Sequence, residues 1–76
     1  MNKESLNLAI AEEFEIEVTD ITPDAPIKET LDLDSLSLLD LVAVVGKVTG
    51  IRAKGADVYH IATFGALYEY LENAGK

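Results

Sequence analysis

The stretch LDLDSLSLLDLV, Leu31–Val42, contains the clearest helix start in this sequence. Asp34 is a good N-cap residue, because its carboxylate accepts hydrogen bonds from backbone N–H groups that the first helical turn leaves unpaired. The apolar run that follows predicts a helical stretch over Leu36–Val48, with Ser35 as the first residue of the helix. Its four valines would also suit a strand, but the cap and the length favour a helix. We expect Gly50 to end it, since glycine readily adopts the positive φ of a helix C′ position.

Two amphipathic patterns flank this segment and predict a first and a last helix. In the first, over Lys3–Phe14, large apolar residues recur every four positions: Leu6, Ile10 and Phe14. In the second, which Thr63 can cap and which ends near Gly75, they fall at i, i+3, i+4 and i+7: Phe64, Leu67, Tyr68 and Leu71. The chain therefore has three main helices.

The segments between these helices lack long periodicity. Residues 15–34 contain two prolines and several aspartates, and they predict a long loop held to the core by spaced apolar anchors. Those anchors are Ile16, Val18, Ile21, Ile27, Leu31 and Leu33. Residues 51–62 predict a loop with one short helical turn around Ala56–His60. The fold class is all-α: a small three- to four-helix bundle with a long loop between the first and second helices, in one domain over residues 1–76.

Composition limits the possible functions of the chain. Its 76 residues are 49% hydrophobic, as in a globular domain. It has no cysteine and one histidine, so we expect neither disulfides nor a metal site of cysteine or histidine ligands. The formal net charge of −8 disfavours nucleic acid and anionic membranes as partners and favours proteins with basic patches.

The location of the protein is predicted from the absence of targeting signals. The N-terminal segment MNKESLNLAIAEEF carries acidic residues and lacks the basic start and apolar block of a secretory signal, so we expect a cytoplasmic protein. The longest apolar run, Leu38–Val45, is interrupted by Asp40 and is far shorter than the about 20 residues that span a bilayer. We expect no membrane insertion.

Ser35 is the candidate reactive group, but the sequence offers it no catalytic partners. A serine nucleophile needs a general base, and His60 is the only histidine; no G-x-S-x-G turn surrounds Ser35. The nearby Asp32 and Asp34 do not form a calcium loop, because the third ligand and glycine positions of that motif hold leucine and serine. A helix start does favour a negatively charged ester, by about 0.3–1 kcal/mol at an exposed position. We therefore predict that Ser35 is the substrate of a separate enzyme and that the chain is not itself an enzyme.

The triplet Asp34, Ser35, Leu36 at this helix start resembles the phosphopantetheine attachment motif of acyl carrier proteins. Further matches follow along the chain: DITPDA at Asp20–Ala25, the loop anchors Ile27 and Leu31, and IATFGALYEYL at Ile61–Leu71. Together with the small size and the acidity of the chain, these segments make the resemblance strong and extend it over the whole length.

The resemblance implies a prosthetic group and a set of partners. In that family a phosphopantetheinyl transferase moves 4′-phosphopantetheine from coenzyme A to the serine of the motif, here Ser35, between Asp34 and Leu36. The thiol of this arm then carries acyl groups as thioesters. The implied partners are the transferase and the acyl-transferring and chain-elongating enzymes with basic surface patches. We expect the chain to be a monomer.

Two departures from the family pattern have structural consequences. Asp32 replaces the usual glycine two residues before the motif's aspartate, and aspartate is one of the few residues that tolerate the left-handed region. Gly46, Lys47 and Val48 replace the usual glutamates near the end of the second helix. On a helical wheel one stripe of this helix is predicted to face partner enzymes: Leu36, Asp40, Ala43 and Lys47. With one acid and one base, this stripe suggests divergent partners or a specialised pathway.

The bundle interior is a second candidate site, because some members of the family shelter the acyl chain there. Candidates to line such a pocket are Val45, Val58, Ile61 and Leu67, each of which also suits an ordinary core position. We expect a discrete acyl carrier of fatty acid or related biosynthesis. The alternatives are a specialised polyketide, aminoacyl or D-alanyl carrier, and an unmodified acidic adaptor with the same fold.

Overall fold

Five α-helices follow one another in residues 2–75, the part of the chain that the computed structural model describes. Their bounds are α1 Lys3–Phe14, α2 Ile27–Leu31, α3 Ser35–Thr49, α4 Gly55–Tyr59 and α5 Phe64–Ala74, with a 3₁₀ turn at Val18–Asp20. α1 packs against α3, and α3 packs against α4. The all-α bundle predicted from the sequence is confirmed. Within the described residues, no helix combines the length and the apolar character needed to cross a bilayer.

The main helices begin and end at the predicted residues because each has a chemically suitable cap. The Asn2 side chain accepts a hydrogen bond from the Ser5 N–H at the start of α1, at 3.1 Å, and the Thr63 hydroxyl accepts one from the Ala66 N–H at the start of α5, at 3.2 Å. Gly50, with φ of 76°, ends α3. The predicted helical turn near Ala56–His60 is α4, shifted by one residue toward the N-terminus.

The expectation of a long loop over residues 15–34 was wrong for its second half, where α2 lies. This helix has five residues, which is too short to display helical periodicity, and its N-cap, Pro26, makes no side-chain hydrogen bond. Its stability comes from burial of Ile27 and Leu31 in the core. Val18 was wrong as an anchor because it is exposed. The other anchors are confirmed: Ile21, Ile27 and Leu31 are buried, and Ile16 and Leu33 are half-buried.

The loop before α2 is fixed to the start of α5 by backbone hydrogen bonds. The Phe64 N–H donates to the Ala25 carbonyl at 3.2 Å, and the Gly65 N–H donates to the Pro23 carbonyl at 2.9 Å. The Ile27 N–H returns a bond to the Ala62 carbonyl at 3.0 Å. A Cβ on Gly65 would lie 3.0 Å from the Pro23 oxygen, so a larger residue here would push the two segments apart by a few tenths of an ångström. The segments DITPDA and IATFGALYEYL thus contact each other through these backbone hydrogen bonds.

The end of α1 provides a stability prediction. Glu15 adopts the left-handed region, with φ of 55°, and its N–H donates to the Ala11 carbonyl. Glycine takes this conformation without strain, so we expect Glu15→Gly to raise the free energy of unfolding by about 0.5–1 kcal/mol. The matched control is Glu13→Gly, which removes the same charge inside the helix. It should lower the free energy of unfolding by about 0.5–1 kcal/mol. Urea denaturation of both variants checks the prediction, which equal effects of the two substitutions would contradict.

Candidate functional site

Ser35 is the first residue of α3 and is exposed to solvent. The cap beside it is made by its neighbours. The Asp34 carboxylate accepts hydrogen bonds from the Leu36 N–H at 2.9 Å, the Ser37 N–H at 2.8 Å and the Ser37 hydroxyl at 2.9 Å. The Asp34 N–H in turn donates to the Ser37 hydroxyl oxygen at 2.8 Å, which completes a capping box. None of these bonds uses the Ser35 hydroxyl, which therefore remains free to react.

The cap also determines the charge at this helix start. Hydrogen bonds from the Ser37 N–H, the Ser37 hydroxyl and the Leu36 N–H hold the pKa of Asp34 below its ordinary value of 3.8. Asp34 is therefore ionised at neutral pH and satisfies first-turn N–H groups. The helix start is thus capped without any hydrogen bond from the Ser35 hydroxyl.

This pKa shift predicts an acid-sensitive cap. A carboxyl group whose pKa is lower in the folded state contributes stability above its unfolded pKa and loses it as pH falls through the folded value. Below about pH 4, we therefore expect the unfolding free energy of the wild type to fall more steeply than that of Asp34→Asn, whose amide caps without titrating. Urea denaturation between neutral and acid pH measures this difference. Parallel pH curves for the two proteins would contradict it.

The turn between α2 and α3 determines where α3 begins and therefore where Ser35 lies. Asp32 ends α2 in the left-handed region, with φ of 51° and ψ of 52°, as its place in the sequence predicted. The N–H groups of Asp32 and Leu33 both donate to the Lys28 carbonyl, the latter at 2.9 Å. α3 begins at Ser35, three residues after Asp32, so α2, which is fixed to the core, determines where Ser35 lies. Sequence reasoning found Asp32 and missed the helix that it ends.

One face of α3 points into solvent and includes the predicted stripe. Leu36 is 75% exposed, and Asp40, Ala43 and Lys47 are exposed as well. Leu39, which sequence reasoning missed, is 63% exposed. It follows Leu36 by three positions on the helix, and this spacing could have revealed it. The opposite face contains the buried Leu41, Val44 and Val45 and the half-buried Leu38, Val42 and Val48.

The four candidate pocket residues lie in or against the core. Val45, Val58 and Leu67 have no solvent exposure and belong to one cluster, and Ile61 is half-buried and packs against that cluster. The structure thus brings these four residues to one apolar region, where they serve as core residues. His60, the only histidine, is exposed.

The site fits a group attached through a phosphodiester. The hydroxyl of Ser35 is exposed and makes no hydrogen bond to another residue within 2–75, and it lies at a helix N-terminus, where backbone dipoles favour negative charge. Leu36 adds an exposed apolar surface directly beside it.

Comparison with known proteins agrees with this geometry. Residues 5–71 match the family model of the phosphopantetheine attachment site. The chain belongs to the phosphopantetheine-binding acyl carrier family. It is 32% identical over 71 residues to polyketide-8 synthase acyl carrier protein 2 of Streptomyces avermitilis, covering 93% of this chain and 82% of that protein. It is 28% identical over 78 residues to the acyl carrier protein of Acidothermus cellulolyticus, covering 97% of this chain and 93% of that protein. It is 32% identical over 63 residues to the acyl carrier protein of Thermotoga maritima, covering 83% of this chain and 78% of that protein.

Membership in the acyl carrier family identifies the prosthetic group as 4′-phosphopantetheine. Acyl carrier proteins are carriers and not catalysts, and they interact with a modifying transferase and with synthase enzymes. This agrees with a site that displays an exposed serine hydroxyl at a helix start.

Proposed function

We propose that Ser35 carries 4′-phosphopantetheine and that this acyl carrier hands thioester-bound intermediates between separate enzymes. The supporting observation is the free, exposed hydroxyl at the start of α3, inside the triplet Asp34, Ser35, Leu36. The carrier is a cytoplasmic, monomeric single domain and does no bond-making of its own. The arm, when attached, supplies the thiol that this cysteine-free chain lacks.

Each residue of the triplet has a distinct part in this proposal. The Ser35 oxygen loses its proton and forms the phosphodiester bond, and adenosine 3′,5′-bisphosphate leaves coenzyme A. Asp34 holds the first turn of α3, so that Ser35 is presented in one geometry. Leu36, at 75% exposure, offers the transferase an apolar contact next to the reacting oxygen. The base that accepts the proton belongs to the transferase.

The outward face of α3 is the proposed contact surface for enzymes that act on the loaded arm. It comprises Leu36, Asp40, Ala43 and Lys47, all of which are exposed. The proposed place for a sheltered acyl chain lies among Val45, Val58, Ile61 and Leu67, where apolar side chains would surround it. Such shelter requires these core side chains to move apart, because three of the four have no solvent exposure.

The cargo is either a fatty acyl group or a polyketide intermediate. The polyketide alternative is favoured by the similarity to a polyketide synthase carrier from Streptomyces avermitilis. It is also favoured by the α3 stripe, which has one acid, Asp40, and one base, Lys47. Mass spectrometry of the carrier isolated from its own organism distinguishes them, because the mass of the thioester-bound group identifies the cargo.

Loading with coenzyme A tests the proposal itself. A promiscuous phosphopantetheinyl transferase should add the mass of one 4′-phosphopantetheine arm to the carrier, and the arm should then react with thiol reagents. An acidic adaptor with the same fold would keep its original mass. A carrier chain that stays unmodified under conditions that fully load a known acyl carrier protein overturns the proposal.

A further inference from the structure

A groove runs between the end of α1 and the second half of α3. It has a volume of about 430 Å³ and is lined by Ala9, Glu12, Glu13, Glu15, Val44, Lys47 and Val48. The apolar lining residues form its floor, since Val44 is buried and Ala9 and Val48 are half-buried. The charged lining residues are exposed and form its rim. Neither the sequence motif nor the attachment site accounts for this arrangement.

The chemistry of the groove fits the side chain of a basic residue. An arginine or lysine has a long aliphatic stem, which the valine floor can cover, and a charged end, which the rim carboxylates can bind. The rim has three carboxylates, of Glu12, Glu13 and Glu15, against one ammonium group, of Lys47. The local charge therefore attracts a cation, and the net charge of −8 on the whole chain acts in the same direction.

The groove is continuous with the outward face of α3, because Lys47 belongs to both. Lys47 follows Ser35 by twelve positions in α3, which corresponds to about 18 Å along the helix axis. A standard protein interface covers about 800 Å² on each partner, a patch about 30 Å across. One enzyme can therefore cover Ser35 and the groove at the same time.

We propose that this groove binds an arginine or lysine side chain on the surface of the phosphopantetheinyl transferase, so that the enzyme recognises α1 as well as α3. The inference rests on the proposed function, because it names the partner that modifies Ser35. The interaction is electrostatic and lies at the rim of the interface, so it acts mainly on the rate of association. It predicts that acids on α1 influence a reaction at the start of α3.

Loading kinetics with the transferase of the same organism test this inference. In the groove variant, Glu12→Gln, Glu13→Gln and Glu15→Gln are combined. We expect its kcat/KM to fall about tenfold at low ionic strength, through KM and not kcat. The loss should shrink to about twofold or less in about 0.5 M salt, where the screening length is only a few ångströms. Lys47→Glu makes the opposite charge change in the same groove and should raise kcat/KM about threefold at low salt.

The matched control variant combines Glu4→Gln, Glu69→Gln and Glu72→Gln. These three exposed acids do not line the groove, and their replacement changes the net charge by the same amount. We expect its kcat/KM to stay within about twofold of wild type, and circular dichroism checks that each variant is folded. If the wild type loads and the groove and control variants are equal, or Lys47→Glu has no effect, the groove is not a binding site. If the wild type does not load, the proposed function itself fails.

Discussion

Ser35→Ala is expected to take up no 4′-phosphopantetheine, even after exhaustive incubation with coenzyme A and a transferase. The substitution removes the hydroxyl to which the arm is proposed to be attached, and it leaves the cap of α3 intact because the cap bonds belong to Asp34 and Ser37. Alanine has the highest helix propensity, so the unfolding free energy should stay within about 0.5 kcal/mol of wild type. Intact-protein mass spectrometry and urea denaturation measure the two quantities on the same samples.

Ser37→Ala is the matched control, because it removes a serine hydroxyl from the same helical turn. That hydroxyl accepts from the Asp34 N–H at 2.8 Å and donates to the Asp34 carboxylate at 2.9 Å. Its loss should destabilise the carrier by about 0.5–1.5 kcal/mol, while one arm is still attached. The two variants thus separate modification from helix capping. Attachment of an arm to Ser35→Ala would refute the assignment of Ser35, and peptide mapping would then locate the modified residue.

The long helices could be predicted from the sequence because their signals are local. A cap residue, an apolar repeat and a terminating residue all lie within one helix, as Asp34, the run after Ser35 and Gly50 do for α3. The same local chemistry located the exposed serine at the helix start. The left-handed turn at Asp32 was instead expected from the family resemblance, because glycine is usual at that position and aspartate tolerates a φ of 51°.

The short helix α2 could not be predicted in this way, because its signals are not local. Five residues display little more than one helical turn, and the residues that stabilise it are partners distant in sequence. Ile27 is buried in the core, and its N–H donates to the Ala62 carbonyl, 35 positions further along the chain. Tertiary contacts thus create a helix for which local propensity gives no evidence.

The groove between α1 and α3 escaped prediction for a related reason. The wheel of α3 correctly placed Lys47 outward, but it contains no information about which residues of α1 lie beside it. Only the packing of the two helices brings Glu12 and Glu15 to the same groove as Lys47. The outward face of α3 has one acid and one base when α3 is considered alone. In the folded carrier, three acids of the α1 end, Glu12, Glu13 and Glu15, lie beside it. The charge next to the outward face of α3 therefore depends on tertiary structure and cannot be read from the α3 sequence alone.

Phe64→Ala is expected to cause the largest loss of stability among the substitutions considered. Phe64 has no solvent exposure and is among the largest fully buried side chains of the described chain. Replacing a buried phenylalanine with alanine costs about 3–5 kcal/mol, and a domain of this size has a total stability of about 4–11 kcal/mol. The variant should therefore unfold at much lower urea concentration than wild type, or be partly unfolded without urea. Tyr59→Ala is the control: it is 41% exposed and loses a contact with Lys28 worth about 0.5–1 kcal/mol.

The effect of replacing Phe64 should reach the start of α3 through the backbone. Its N–H holds the Ala25 carbonyl, and Ile27 begins the helix that ends at the turn before Ser35. A cavity at Phe64 loosens this contact, so in Phe64→Leu, which retains most of the volume, we expect faster hydrogen exchange at Ile27 than in wild type. The exchange at Leu6 should change less, because that residue lies in α1, outside the loop contact. Equal acceleration at both amides would indicate global destabilisation instead.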